Sequence, residues 1–325
     1  MMKRSTSALV LSAAVALPTA ALASGPIDGT VYGKANISYQ HMDTSKGKAW
    51  ELANNASRLG VKGKTAINDQ LNIIYQLEYE VFIDDGDDGS GDHSEFKQRN
   101  IFAGLKSNTF GEIIGGKFDT PLKKSQGKID LFNDLKGDIK NVLIGDNRKS
   151  NVVQYTTPSM SGIKAKFAII PGEDATDDNA DTYADSMSAS VQFSNDQFYA
   201  ALAYDSDVEK LDGSDTLRLS LQAKFGALTL GALWQKAEYD NATFATGENS
   251  EDGYSVSASY KIGSEKIKIQ YSASDEKLVG GEMLSLGIDH KLSKKSKLYA
   301  FYTDIQADDA SKEKTYFGVG MEHKF

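Results

Sequence analysis

The sequence predicts an all-β protein: a 16-stranded antiparallel transmembrane β-barrel. Three observations carry this. Sixteen stretches of about ten residues, the length that crosses a bilayer at a steep tilt, read as strands, and apolar and polar residues alternate with a period of two in all but 98–106 and 112–118, where glycines blur the faces. The connections between them alternate between short and long. The chain ends on a strand-like segment whose last residue is an aromatic, Phe325.

The chain opens with an export signal. Lys3 and Arg4 form a basic start, residues 8–16 are almost wholly apolar, and Ala21-Leu22-Ala23 is an A-x-A cleavage site. This divides the chain into a signal peptide, 1–23, and a barrel domain, 24–325, that begins at Ser24. The apolar run is too short to span about 30 Å of hydrocarbon as a helix. Removing it from the 325-residue chain leaves 302 residues. The formal charge falls from −9 to −11, because Lys3 and Arg4 go with it. An acidic chain is a poor partner for nucleic acid, and none is expected. With no cysteine, an exported chain must be held by its own fold.

The strands are read at 30–40, 57–65, 71–82, 98–106, 112–118, 148–156, 163–170, 185–193, 198–204, 216–225, 228–236, 253–261, 265–274, 282–292, 297–303 and 315–325. In the tenth, Leu217, Leu219, Leu221, Ala223 and Phe225 share one face, while Arg218, Ser220, Gln222 and Lys224 share the other. Short turns fall at 66–70, 107–111, 157–162, 194–197, 226–227, 262–264 and 293–296. Longer loops fall at 41–56, 83–96, 119–147, 171–184, 205–215, 237–252, 275–281 and 304–314. Short turns on one side and long loops on the other is the layout of an outer-membrane barrel.

Alternation alone does not say which face looks inward. Aromatics on the apolar parity cluster near strand ends, as at Tyr39, Tyr79, Phe198, Tyr204, Phe225 and Tyr260, where a membrane interface needs amphipathic rings. The polar parity carries Lys34, Arg58, Lys62, Lys64, Lys164, Lys166, Arg218, Lys224, Lys266 and Lys268. Burying so many charges dry would cost several kcal/mol for each ion. The charged face must be wet, and sixteen strands enclose an aqueous channel.

Particular residues then resemble the general diffusion porins of Gram-negative bacteria. Val31-Tyr-Gly-Lys34 resembles the opening of their first strand. Ser57-Arg-Leu-Gly-Val-Lys-Gly63, Ile67-Asn-Asp-Gln70 and Gln76-Leu-Glu-Tyr79 resemble their second and third strands. Arg99-Asn-Ile-Phe-Ala-Gly-Leu-Lys106, Phe110-Gly111, Asn147-Arg148 and the C-terminal Phe325 continue the likeness. The resemblance implies a homotrimer in the cell outer membrane, in contact with lipid and lipopolysaccharide, that passes small hydrophilic solutes and ions by passive diffusion. It implies that the loop at 119–147 folds into the barrel as a constriction. It assigns Lys34, Arg58, Arg99 and Arg148 to a basic wall, faced by loop carboxylates from Asp130, Asp134 and Asp138, and makes Phe325 the barrel-closing residue. The loop lacks the family's Pro-Glu-Phe-Gly-Gly stretch, and its carboxylates share it with Lys123, Lys124, Lys128, Lys136 and Lys140. Strict alternation puts Arg99 on the outer face, whereas the resemblance puts it in the pore. The cost of an arginine facing lipid decides for the pore.

No cofactor and no metal site is expected. Asp84 to Asp92 looks like a calcium loop at a glance but fails the required register. His41, His93, His290 and His323 have no ligand spacing, and no Ser/His/Asp arrangement suggests an enzyme. A solute- or anion-preferring channel is the nearest alternative function. A non-conducting adhesin or structural barrel is the alternative from another class.

Overall fold

In the computed structural model, residues 28–85, 96–172, 183–209, 213–244, 246–277 and 281–325 are described. The expected signal peptide, 1–23, therefore lies outside the described residues, as do most of the acidic stretch after Asp85 and the cluster from Glu173 to Asp181. The strands are β1 (Asp28–Thr44), β2 (Gly47–Asn54), β3 (Arg58–Ala66), β4 (Leu71–Val81), β5 (Phe96–Ser107), β6 (Gly111–Asp119), β7 (Arg148–Thr156) and β8 (Ile163–Ile170). They continue as β9 (Ser186–Ser194), β10 (Phe198–Ser206), β11 (Ser214–Phe225), β12 (Leu228–Tyr239), β13 (Ser250–Ile262), β14 (Glu265–Ser274), β15 (Gly281–Lys291), β16 (Ser296–Gln306) and β17 (Lys314–Lys324).

Every neighbouring pair is antiparallel, and β1 closes the sheet against β17 from Lys34↔Lys324 to Thr44↔Lys314. The outer half of β1 pairs with β2 and its inner half with β3. These two are therefore one strand, interrupted at residues 55–57 where Ala56 takes φ +53°. Counted around the barrel there are sixteen strands, at the sixteen stretches read from the sequence.

The segment 41–56 departs from expectation. It is not a loop but a β-hairpin, with Thr44 opposite Gly47 and only Ser45 and Lys46 between them. The hairpin lifts Tyr39, His41 and Trp50 into an outward aromatic cluster with Phe317, ring centres 5.0–5.4 Å apart. Its own sequence hides this, because polar and apolar residues do not alternate there and the pairing is earned by cross-strand rings.

The sidedness is clear in β11. Leu217, Leu219 and Leu221 are 36–46% exposed, while Arg218 and Ser220 are at most 1% exposed. The apolar parity faces out and the polar parity faces in. A soluble barrel would show the reverse.

The largest apolar cluster lies inside the barrel, between the loop at 119–147 and the wall. Ile129, Phe132, Ile139, Val142 and Leu143 from the loop pack on Leu233, Met283, Phe301 and Ile305, which project inward from β12, β15 and β16. A fully buried side chain of this kind stabilises by roughly 1.5–3 kcal/mol, so five of them seat the loop firmly. The loop opens with a short helix, α1 (Pro121–Ser125). Proline stands in its first turn, and the Thr120 hydroxyl accepts the Lys123 N–H at 3.2 Å. Phe132→Ala is expected to cost about 3–5 kcal/mol of loop seating. Limited proteolysis should then cut the variant within the loop, at Lys128 or Lys136, under conditions where the parent protein stays intact.

Candidate functional site

The loop crosses the lumen along the inner wall, tied at each strand by a polar group that alternation aims inward. Ser188 Oγ on β9 accepts the Leu122 N–H (3.2 Å), and Tyr199 on β10 donates to the Ser125 carbonyl (2.8 Å). Arg218 on β11 donates to the carbonyls of Leu122 (3.3 Å) and Ile144 (2.9 Å), gripping both ends of the loop. Gln235 on β12 accepts from Arg218 (2.7 Å) and donates to Glu276 (2.7 Å), which in turn accepts the Ile144 N–H (2.8 Å). Ser257 on β13 donates to the Ile129 carbonyl (2.7 Å). Gln270 on β14 accepts the Leu131 N–H (2.8 Å) and donates to the Gly137 carbonyl (3.0 Å). With the loop thus seated on β9–β17, the free passage is left against β1 and β3–β7.

Asp134 crosses to that opposite wall. Its carboxylate meets Lys34 Nζ at 2.7 Å and Arg58 Nη2 at 2.5 Å. Burial alone would raise this carboxyl. The Lys34 ammonium and Arg58 guanidinium outweigh it and hold Asp134 down at about 2. Asp138 braces Asp134 by accepting its N–H at 3.0 Å, and it pairs with Lys140 at 3.2 Å. Asp130 is turned away from the passage. It is folded into the loop, where it accepts the N–H groups of Phe132 (2.9 Å) and Ile139 (3.2 Å). Burial, then the nearby charge of Asp138, pushes its carboxyl well above the usual range.

A β-bulge resolves the conflict over Arg99. Leu77 pairs with Ile101 but Tyr79 pairs with Gln98, so β5 carries one residue more than β4 across this step. The extra residue resets the alternation and lets Arg99 point inward, where it meets Glu78 at 3.1 Å and Glu80 at 2.8 Å. Arg148 meets Asp119 at 2.8 Å, and Asp119 also takes Lys123 (3.3 Å) and Lys124 (2.7 Å).

A cavity of about 920 Å³ lies between loop and wall. Its lining carries nine basic residues: Arg58, Lys62, Lys97, Arg99, Lys123, Lys124, Lys136, Lys140 and Arg148. It carries six acidic ones: Glu78, Glu80, Asp119, Asp134, Asp138 and Asp146. The formal balance is therefore +3. Lys34 stands behind Asp134 rather than on the lining. The two signs interleave on both sides, with Glu78, Glu80 and Asp119 on the wall and Lys123, Lys124, Lys136 and Lys140 on the loop. This differs from an all-basic wall facing an all-acidic loop. Glu78 and Glu80 were legible as inward positions of β4, but nothing in the sequence paired them with Arg99. Phe325 sits where the barrel closes: its N–H donates to the Gly33 carbonyl (3.1 Å) and its carbonyl accepts the Gly33 N–H (3.3 Å). Its ring occupies the space a side chain at Gly33 would need. Among the described residues, no group of three or more His, Asp or Glu could hold a metal ion.

A closed barrel that is apolar outside, charged within and narrowed by a seated loop is a channel of the outer membrane. The Gram-negative porin family matches residues 6–310, and the chain belongs to that family. It is 28% identical over 326 residues to outer membrane porin protein 32 of Delftia acidovorans, covering 93% of this chain and 90% of that protein. It is 24% identical over 370 residues to major outer membrane protein P.IB of Neisseria sicca, covering the whole of both. Among solved structures, the fold matches an anion-selective porin from Comamonas acidovorans at a TM-score of 0.76 and 24% identity. That match covers 92% of this chain and all of that one. It also matches OmpF of Salmonella typhi at a TM-score of 0.71 and 16% identity, covering 91% and 97% of the two chains. The protein is an outer-membrane channel for passive diffusion through a water-filled pore.

The depressed Asp134 carboxyl fixes a pH window. Its folded value lies below the ordinary carboxylate value of 3.8, so the stabilisation it lends is fully present above that value and is lost as pH falls through about 2. Loss of the Asp134 ion pairs should therefore change single-channel conductance only below about pH 4. In Arg58→Ala, which removes one of the two cations on Asp134, the change should begin at higher pH.

Proposed function

We propose that the passage between the loop and the β1–β7 wall is the filter of a general diffusion porin, selecting by size and weakly favouring anions. The observation that carries this reading is the +3 balance of formal charge around one aqueous cavity. Rings of charged side chains sieve by sign as well as size. In this reading Arg58, Arg99 and Arg148 form the basic wall, and Asp134 and Asp138 are the loop carboxylates of the constriction. Lys34 and Arg58 pin Asp134 and so set the width. Asp130 keeps the loop's shape. The carboxylates are consumed in ion pairs, so the field left over is that of the excess cations. The Comamonas acidovorans neighbour, named as anion-selective, supports the same sign.

We further propose export by cleavage before Ser24 and assembly as a homotrimer in contact with lipopolysaccharide. Membership of the porin family supports both.

Reversal potential under a salt gradient tests the filter. A unit charge about 10 Å from a permeating ion in water is worth roughly 0.4 kcal/mol, about a factor of two in local concentration. Arg58→Ala and Arg148→Ala should each lower the anion-to-cation permeability ratio by about that factor. Unchanged selectivity in both variants would remove the assignment. Chemical cross-linking of the detergent-solubilised protein should end at three copies, and current steps in planar bilayers should come in threes.

A further inference from the structure

The periplasmic end of the lumen holds a second charged cavity, of about 370 Å³, on the wall from β13 to β17. It shares no lining residue with the passage at the constriction. The turns at 262–264 and 293–296 bound it, and short turns of this kind face the periplasm. Its strand residues have the inward parity. Lys266, for example, stands two residues before Lys268, which is 3% exposed and donates to the Leu131 carbonyl of the loop at 3.2 Å.

Seven lysines and three carboxylates line the cavity, a formal balance of +4. The carboxylates are already committed. Asp289 meets Lys268 at 2.9 Å and Lys297 at 3.1 Å. Glu322 meets Lys324 at 3.2 Å. Glu265 meets His290 at 2.5 Å. Lys261, Lys266, Lys291, Lys294 and Lys295 are left without a salt bridge among the described residues.

The sheet register sets ammonium against ammonium. Lys261 stands opposite Lys266, and Lys291 opposite Lys297. Like charges directly opposite each other destabilise a sheet. Nor are the lysines spread around the periplasmic rim: of the seven short turns, only 293–296 contains any. Folding gives no reason to gather them at one place. A bound polyanion does, because it turns their mutual repulsion into shared attraction, and local rules of this kind are broken at functional sites.

The type of cation narrows the ligand. All seven are lysines. The planar fork of arginine suits a planar carboxylate, whereas lysine meets phosphate as a point charge. Ser264 adds a hydroxyl donor. Five unpaired ammonium groups around one small cavity suit a compact ligand that carries several charges.

We propose that this cavity binds inorganic oligophosphate, pyrophosphate or longer, on the periplasmic side of the constriction. Lys261, Lys266 and Lys291 meet the phosphate oxygens from the wall, and Lys294 and Lys295 meet them from the turn. The site is separate from the filter and does not require the filter to favour anions.

The test is calorimetric titration of the detergent-solubilised protein with pyrophosphate, at about 0.1 M salt. One pyrophosphate should bind per copy. Two ammonium groups about 7 Å from a trivalent anion, screened by that salt, are together worth roughly twentyfold in affinity. Lys266→Gln combined with Lys291→Gln should therefore bind about twentyfold more weakly while still forming channels in planar bilayers. Lys294→Gln combined with Lys295→Gln, in the turn, should weaken binding in the same way. Citrate has a similar charge near neutral pH, but the rotations of its arms must be frozen, so it should bind roughly fivefold more weakly. Arg58→Ala, in the filter, should bind pyrophosphate as the parent does. Absence of binding by the parent would overturn the proposal, as would citrate binding equally tightly or both lysine variants binding like the parent. A loss in Arg58→Ala with none in the lysine variants would put the anion at the constriction, overturning this site while leaving the filter reading in place.

Discussion

The whole molecule depends on the closure of one hydrogen-bonded sheet. In a hydrocarbon medium an unpaired backbone N–H or C=O has no water to turn to, so a spanning sheet must have no edge. The pairing of β1 with β17, finished by the reciprocal bonds of Gly33 and Phe325, removes it. Once the sheet is closed, period-two alternation puts every second side chain in lipid and every other one in the lumen. The lumen of a sixteen-stranded barrel is too wide for those side chains to fill. They stay hydrated, which is why they can be charged.

A wide wet lumen would pass solutes with little discrimination. The loop between β6 and β7 narrows it, and two kinds of contact hold the loop in place. Apolar side chains seat it against β12, β15 and β16, giving this barrel its largest core in an unusual position, within the lumen and to one side. Polar groups from β9 to β14 then satisfy its carbonyls and N–H groups one strand at a time. The loop is thus part of the folded structure, and the passage it leaves has fixed walls. Asp134 reaches across to the far side, and it does so onto Lys34 and Arg58 together.

Charge in the passage is largely paired. Asp119 alone takes Arg148, Lys123 and Lys124, and Arg99 spends its guanidinium on Glu78 and Glu80. Pairing keeps the long side chains in definite positions, and therefore the aperture in a definite shape. It also leaves a small net field, as suits a channel for many solutes.

Much of this was legible in the amino-acid order. Period-two alternation in segments such as Leu217 to Phe225 established strand number and order and which residues share a face, because side-chain direction in a strand is local geometry. The inward lysines and arginines implied a wet interior, because desolvating them is costly. Apolar residues at inward positions, such as Leu233, Met283, Phe301 and Ile305, marked the seat of the loop but went unread, since only a partner in space explains them. Three things required the tertiary structure. The hairpin at Thr44 and Gly47 forms through cross-strand rings. The inward turn of Arg99 comes from one extra residue in β5. The separate fates of Asp130 and Asp134, four residues apart in one loop, follow from which of them meets backbone N–H groups and which meets Lys34, 100 residues away in sequence. Local alternation fixes which way a side chain points. What it meets there depends on chain segments that alternation does not relate.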